Sequence, residues 1–256
     1  MPKYGMVIDL QKCVGCGACA LACKAENNTR SRGNGQSYIW ADFITKTEGV
    51  FPNTKHFTMP VLCNHCDVPA CVTVCPVTPT AIFKTPEGYV LINEETCIGC
   101  QACQQSCPYS ATLLDDRSLT GETYSVISFN HKRRPAQPGW EDKTVMIPGC
   151  TSSGAETAKA AGAAIPALNH YESENSLAVR GRGVVEKCTF CHHRVSNGLQ
   201  PACVEVCPSK ARIFGDQKDS GSEIAKLLAS EKTFRLREEK GTKPNVFYIN
   251  KFSPRA

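Results

Sequence analysis

The sequence has no apolar run long enough to cross a bilayer, which takes roughly 20 mostly apolar residues. Its best candidate, Ala158 to Leu168, is short and broken by Lys159, Gly162 and Pro166. The opening segment, Met1 to Leu10, is too brief an apolar stretch for a secretory signal. The expectation is a chain without a membrane span of its own, working in the cytoplasm or exported folded beside a signal-bearing partner. Aromatic residues are scarce at 7%, and neither basic cluster, Lys132-Arg133-Arg134 or Arg180-Gly181-Arg182, is interleaved with them. A nucleic-acid platform is therefore not expected. A formal charge of +5 over 256 residues is too small to indicate any partner. No phosphate loop, dinucleotide fingerprint, Ser-His-Asp set or Cys-His set is present, so no catalytic residue is expected.

One residue type is in excess. There are 17 cysteines in a chain that is long enough, and at 41% hydrophobic apolar enough, to build one or two cored domains. Sixteen of them fall into four groups: Cys13, Cys16, Cys19, Cys23; Cys63, Cys66, Cys71, Cys75; Cys97, Cys100, Cys103, Cys107; and Cys188, Cys191, Cys203, Cys207. Only Cys150 stands apart, most simply a buried or adventitious thiol. Pro76, Pro108 and Pro208 follow the last Cys of groups two, three and four. Group one reads CVGCGACALAC and group three CIGCQACQQSC, while groups two and four end PACVTVCP and PACVEVCP. The order is a, b, a, b, as if a two-group unit had been duplicated.

Disulfides find no support in a two-residue gap repeated four times, and the chain is longer and less Cys-dense than secreted scaffolds. Zinc would suit two Cys-x-x-Cys pairs in groups two and four, but groups one and three put three Cys on one tight loop. Their spacing is the bacterial ferredoxin run, C-x2-C-x2-C-x3-C, whose fourth Cys ligates the neighbouring cluster. Four [4Fe-4S] clusters are the expectation, with zinc as the competing metal. Fourth-Cys exchange makes clusters come in pairs. Groups two and three pair locally through Pro76 to Thr96, where Ala81–Lys84 and Tyr89–Ile92 read as a β-hairpin about a Thr85–Gly88 turn. Groups one and four then pair across the chain.

With these motifs the layout resembles the iron–sulfur subunit of the complex iron–sulfur molybdoenzymes, the dimethyl sulfoxide, polysulfide, tetrathionate and arsenate reductase group. The likeness is close over residues 5 to 114 and 186 to 215, and its opening GMVIDLQKCVGCGACALACKAENNT and LCNHCD segment look most like arsenate- or polysulfide-type subunits. It implies a first ligand set of Cys13, Cys16, Cys19 and Cys207 and a second of Cys188, Cys191, Cys203 and Cys23. A third would be Cys97, Cys100, Cys103 and Cys75, and a fourth Cys63, Cys66, Cys71 and Cys107. Some relatives lack the middle Cys of group three; Cys100 is present here, which implies a full cubane. The implied fold is α+β: two bacterial ferredoxin-like modules, a long irregular insert and a C-terminal helix–strand extension. Residues 1–60 with 186–256 would form one module, 61–114 the other, and 115–185 the insert, a candidate for partner contact.

The implied function is electron transfer, along clusters one, two, three and four, in an anaerobic respiratory complex. The first cluster would face a molybdopterin catalytic subunit and the last a quinone-linked membrane anchor or a cytochrome. The resemblance favours a periplasmic complex. A free-standing polyferredoxin or hydrogenase-associated carrier is the alternative. Three departures from the pattern stand out: no proline after Cys23, a loop two residues longer after Cys75, and the insert. His65, His192 and His193 beside the ligands are expected to pack or hydrogen-bond, since every set already has four Cys. Lys12, Lys24, Lys187, Arg194, Lys210 and Arg212 also flank the motifs, and positive charge there would favour reduced clusters. An oxidised cluster with four thiolates carries about −2, so four turn the +5 into about −3. Ser222–Leu228 reads as a capped amphipathic helix and Asn245–Ile249 as a strand.

Overall fold

The computed structural model describes residues 1–27, 29, 38–110, 112–113, 123–130, 143–145, 147–160, 162 and 183–252. Its N-terminal half runs β1 (Tyr4–Asp9), α1 (Ala18–Glu26), β2 (Ala41–Val50), β3 (Asn53–Leu62), α2 (Ala70–Thr73), β4 (Ile82–Lys84), β5 (Val90–Ile92) and α3 (Ala102–Ser106). Next come β6 (Thr112–Leu113), β7 (Thr123–Tyr124), β8 (Ile127–Phe129) and α4 (Gly154–Ala160). The chain ends with β9 (Val185–Lys187), α5 (His192–Val195), α6 (Ala202–Glu205), β10 (Arg212–Asp216), α7 (Glu223–Ser230), β11 (Thr233–Phe234) and β12 (Val246–Ile249). Most of the insert expected over 115–185, and both basic clusters, lie outside the described residues. Among the described residues no helix is long and apolar enough to cross a membrane.

β1 is apolar from Gly5 to Ile8 and buried on both faces, as an inner strand requires. It lies inside a four-stranded sheet of order β10-β1-β12-β11, antiparallel to β10 and parallel to β12. The two-residue side-chain period then divides the sheet. Val7, Ile213, Phe247 and Ile249 face α7, where Ile224 is completely buried. Met6, Ile8, Phe214, Val246 and Tyr248 face the main core. That core also holds Cys63, Tyr89, Ile127 and Val185, so a single apolar interior joins the chain's first, middle and last thirds. The Ser222 hydroxyl caps α7 by accepting the Ala225 N–H at 3.2 Å, a bond of the kind worth ~1 kcal/mol.

β4 and β5 form the hairpin expected on either side of Thr85–Gly88, and the Gly88 N–H closes the turn on the Thr85 carbonyl. The longest ribbon was not expected from the sequence. β2 and β3 pair antiparallel over ten residues each, with a buried base and an exposed tip at Val50 and Phe51. β3 runs straight through the division expected between residues 60 and 61 and delivers Cys63 immediately after its end.

Asp67 ties three segments together. Its carboxylate accepts from Lys3 Nζ at 2.8 Å, Lys84 Nζ at 2.6 Å and Asn245 Nδ2 at 2.9 Å. Burial alone would raise its pKa, but these donors outweigh it and hold the carboxyl well below the usual range. Asp67→Asn is expected to cost ~1–2 kcal/mol, a figure discounted for the part of the side chain that water still reaches. A depressed pKa contributes its full stability above the unfolded value of about 3.9 and loses it as pH falls further. Anaerobic melting should therefore give a Tm difference between the two chains that is constant at neutral pH and narrows below about pH 4.

Candidate metal centres

Each cysteine group begins with a loop of one shape. The residue before the second Cys has a positive φ in all four groups: Gly15 (66°), His65 (42°), Gly99 (68°) and Phe190 (54°). This left-handed step curls the chain and turns successive amides toward one side, a nest suited to an anion. Pro69 and Pro201 precede α2 and α6, placing Cys71 and Cys203 in the first turn. The proline after a group's last Cys then disfavours helix at that Cys. Cys107, before Pro108, is extended at φ −72°, ψ 114°. Group one lacks this proline, and Cys23 stays inside α1. Cys19 and Cys23 are therefore about 6 Å apart along one helix axis, which is how two neighbouring sites share α1.

The sixteen thiols gather in four clusters of four. Cys13, Cys16, Cys19 and Cys207 line one cavity, walled by Phe43, Thr58 and Pro60 of the β2–β3 ribbon. Cys75 joins Cys97, Cys100 and Cys103 around a second cavity. Cys107 joins Cys63, Cys66 and Cys71 around a third. Cys23 is fully buried, and after burial itself the influences that push its pKa well up are Cys188, Cys191 and Cys203. Cys150 is exposed and remote from all four groups in sequence.

The gatherings stand in a row. Arg212 lies beside both Cys19 and Cys203. Cys63 acts electrostatically on Cys188, and Tyr124 feels both. The thiols that act most on Cys103 are Cys97 and Cys100 of its own set. The order along the row is thus first, second, fourth and third set, which corrects the one-two-three-four order expected from the numbering. The reason is long-range: β8 pairs with β9, so Lys187 lines the fourth set's cavity while Val185 lines the third's. Both end sets keep one exposed thiol, Cys16 and Cys100, whereas the second set is entirely buried.

Two 4Fe-4S family models match the chain. A 4Fe-4S dicluster domain fits residues 54–125 and again 146–217, and a 4Fe-4S binding domain fits 4–25. The arsenate respiratory reductase iron-sulfur subunit ArrB of Shewanella sp. (strain ANA-3) is 42% identical over 98% of this chain and 97% of that protein. A selenate reductase subunit of Mesobacillus selenatarsenatis is 35% identical over 96% of this chain and 72% of its own length. A tetrathionate reductase subunit of Salmonella typhimurium is 32% identical, with the same two coverages of 96% and 72%. This chain belongs to that family of reductase iron–sulfur subunits. It is a ferredoxin-like α+β electron-transfer subunit, and the free-standing carrier is set aside.

The iron–sulfur subunit's own residues fit anionic clusters. Among the described residues no three His, Cys, Asp or Glu are placed to hold a single metal ion. Three of the four sets ring cavities instead, as a multi-iron group needs and a tetrahedral zinc with 2.3 Å bonds does not. Backbone amides point at sulfur: Ala211 N–H to Cys207 Sγ at 3.2 Å and Phe190 N–H to Cys188 Sγ at 3.4 Å. Burial alone would raise Cys75 and Cys207, but surrounding amides outweigh it and lower both. At four others burial wins, pushing Cys66 and Cys103 up to about 11 and Cys107 and Cys191 to about 12. Such thiols become thiolates only when a cation takes the proton's place.

Of the six flanking cations, Lys187 and Arg212 alone are buried, at 2% and 3% exposure. Burial would lower Arg212's pKa, but the Cys19 and Cys203 sulfurs overcome it and raise it instead, and its Nη2 has no hydrogen-bond partner. The histidines pack and hydrogen-bond. His193 Nε2 meets Glu26 at 2.8 Å, and His192 sits edge-on to Tyr89. His65 is buried, stacks on Phe190 at 3.8 Å and accepts the Val90 N–H at Nδ1. Burial, then Lys187, holds His65 well below its ordinary pKa.

Proposed function

We propose that the subunit holds four [4Fe-4S] clusters in the four sets named above and carries electrons between two partners at the ends of the row. The observation that carries this is the row itself: four cysteine quartets in a fixed order, with one exposed thiol at each end. When bound, each cluster supplies a site that accepts and releases one electron. The chain supplies sixteen thiolates, inward amides and buried positive charge, and its apolar core keeps the sites at fixed separations. The halves correspond to residues 1–60 with 186–256 and to 61–114.

The same reading gives a molybdopterin-containing catalytic partner at the first cluster, the Cys16 end, and a quinone-linked membrane anchor or cytochrome at the other. Relatives named as reductase subunits support a catalytic partner, and the 42% identity to an arsenate respiratory reductase subunit favours an arsenate-type substrate. The insert at 115–185 would add partner contact, and the complex would work in the periplasm in anaerobic respiration. Anaerobic co-purification of the tagged chain from its native cell tests these points. The expected result is about sixteen irons and sixteen acid-labile sulfides per chain, a large molybdenum-bearing companion, and recovery in the periplasmic fraction. A monodisperse carrier without a companion, or a zinc protein without sulfide, would sink the proposal.

A further inference from the structure

Arg212 and Lys187 are the only buried lysine or arginine side chains among the described residues. Neither forms an ion pair with a described carboxylate. Burying a cation without a counter-charge is costly, so the position of each needs an anion nearby. Arg212 Nη1 lies 4.0 Å from Cys203 Sγ and 3.8 Å from the Met6 thioether, and the side chain lines the cavity of Cys13, Cys16, Cys19 and Cys207. It stands at the junction of the first and second sets. Lys187 extends β9 inward, donates from Nζ to the Cys188 carbonyl at 2.7 Å and lines the cavity of Cys63, Cys66, Cys71 and Cys107. It stands at the junction of the second and fourth sets. The remaining junction, between fourth and third sets, has no buried cation among the described residues.

Resting on the cluster reading above, we propose that these two side chains are shared counter-charges, each setting the reduction potentials of two adjacent clusters at once. Reduction adds one electron to a cluster and makes it more negative, so a fixed positive charge between two clusters favours the reduced form of both. Arg212 therefore acts on the first and second clusters, and Lys187 on the second and fourth. Among the described residues the third cluster has no such neighbour. Both residues are positioning residues, since neither touches a reacting substrate.

The test is EPR-monitored redox titration of the cluster-loaded chain in its complex, carrying Arg212→Met or Lys187→Met. Arg212→Gln and Lys187→Gln provide a second neutral pair, and Arg212→Lys and Lys187→Arg keep the charge. With four clusters present, each neutral variant is expected to lower the potentials of its two flanking clusters. At fixed applied potential the ratio of reduced to oxidised cluster should fall at least tenfold, about 59 mV for a one-electron couple. The third cluster should not move, and the charge-preserving variants should keep native potentials. Unchanged potentials in the neutral variants, a shift confined to one cluster, or an equal shift in the charge-preserving variants overturns the proposal. Failure of every neutral variant to assemble clusters that the charge-preserving ones do assemble also overturns it, because the cations would then act in folding. Iron and sulfide analysis of the unaltered chain separates these outcomes from failure of the cluster reading, which would show as fewer than four clusters before any substitution.

Discussion

Cys207→Ser is expected to remove the cluster held by Cys13, Cys16 and Cys19, and to spare the one held by its chain neighbours Cys188, Cys191 and Cys203. The thiol of Cys207 lies in the first set's cavity, where the Ala211 amide fixes it. A serine oxygen is a harder and poorer partner for these irons than a thiolate. The mirror variant, Cys23→Ser, is expected to do the reverse, because Cys23 is enclosed by Cys188, Cys191 and Cys203 although it belongs in sequence to group one. Each variant should lose about a quarter of its iron. Anaerobic EPR checks which signal disappears, with Cys16→Ser and Cys191→Ser as references for the two sites. A Cys207→Ser chain that keeps all four signals, or that loses the one missing from Cys191→Ser, would overturn the assignment.

Much of the site was legible in the sequence because its determinants are local. The Cys spacings, the prolines after Cys75, Cys107 and Cys207, the Thr85–Gly88 turn and the Ser222 cap all act within a few residues, and the corresponding elements stand where the spacing puts them. The order of the row was not legible. It depends on β8 pairing with β9 across more than fifty residues, and no local pattern encodes which of two quartets Lys187 will reach. For the same reason six flanking cations looked alike. Lys210 sits on an exposed left-handed turn, Arg194 is engaged by Glu26 and Glu205, and Lys12 reaches Asp9 at the surface. Lys187 and Arg212 differ because they belong to buried strands. The β2–β3 ribbon did leave a trace, the β-branched Ile44, Thr45 and Thr47 before Gly49 and Pro52, but its exposed outer half lacks the apolar signature by which strands are recognised.

Gly99→Ala is expected to cost about 3 kcal/mol, the sum of a left-handed backbone and a steric overlap, and to eliminate the third cluster. A Cβ at Gly99 would sit 2.1 Å from the Gly183 carbonyl oxygen and 2.8 Å from the Phe129 ring. The carbonyl has little room to retreat. The Gly183 N–H is bonded to Asn130 O at 2.6 Å and the Asn130 N–H to Val184 O at 2.9 Å, which fastens this corner to β8 and β9. Pushing it aside would move Val185 in the third set's wall and Lys187 in the fourth's, so damage at one loop reaches both sites of this half. The positive φ is not the decisive factor. His65 and Phe190 occupy the same slot in groups two and four with side chains present. Gly15→Ala supplies the comparison, because there the three atoms nearest an added Cβ all belong to the Thr58 side chain, its hydroxyl at 2.9 Å, and none to backbone. That variant is expected to lose ~1 kcal/mol and keep its cluster. Anaerobic melting and cluster counts on the pair check the argument. Equal losses in the two variants would mean that backbone conformation, and not contact with Gly183, sets the requirement at Gly99.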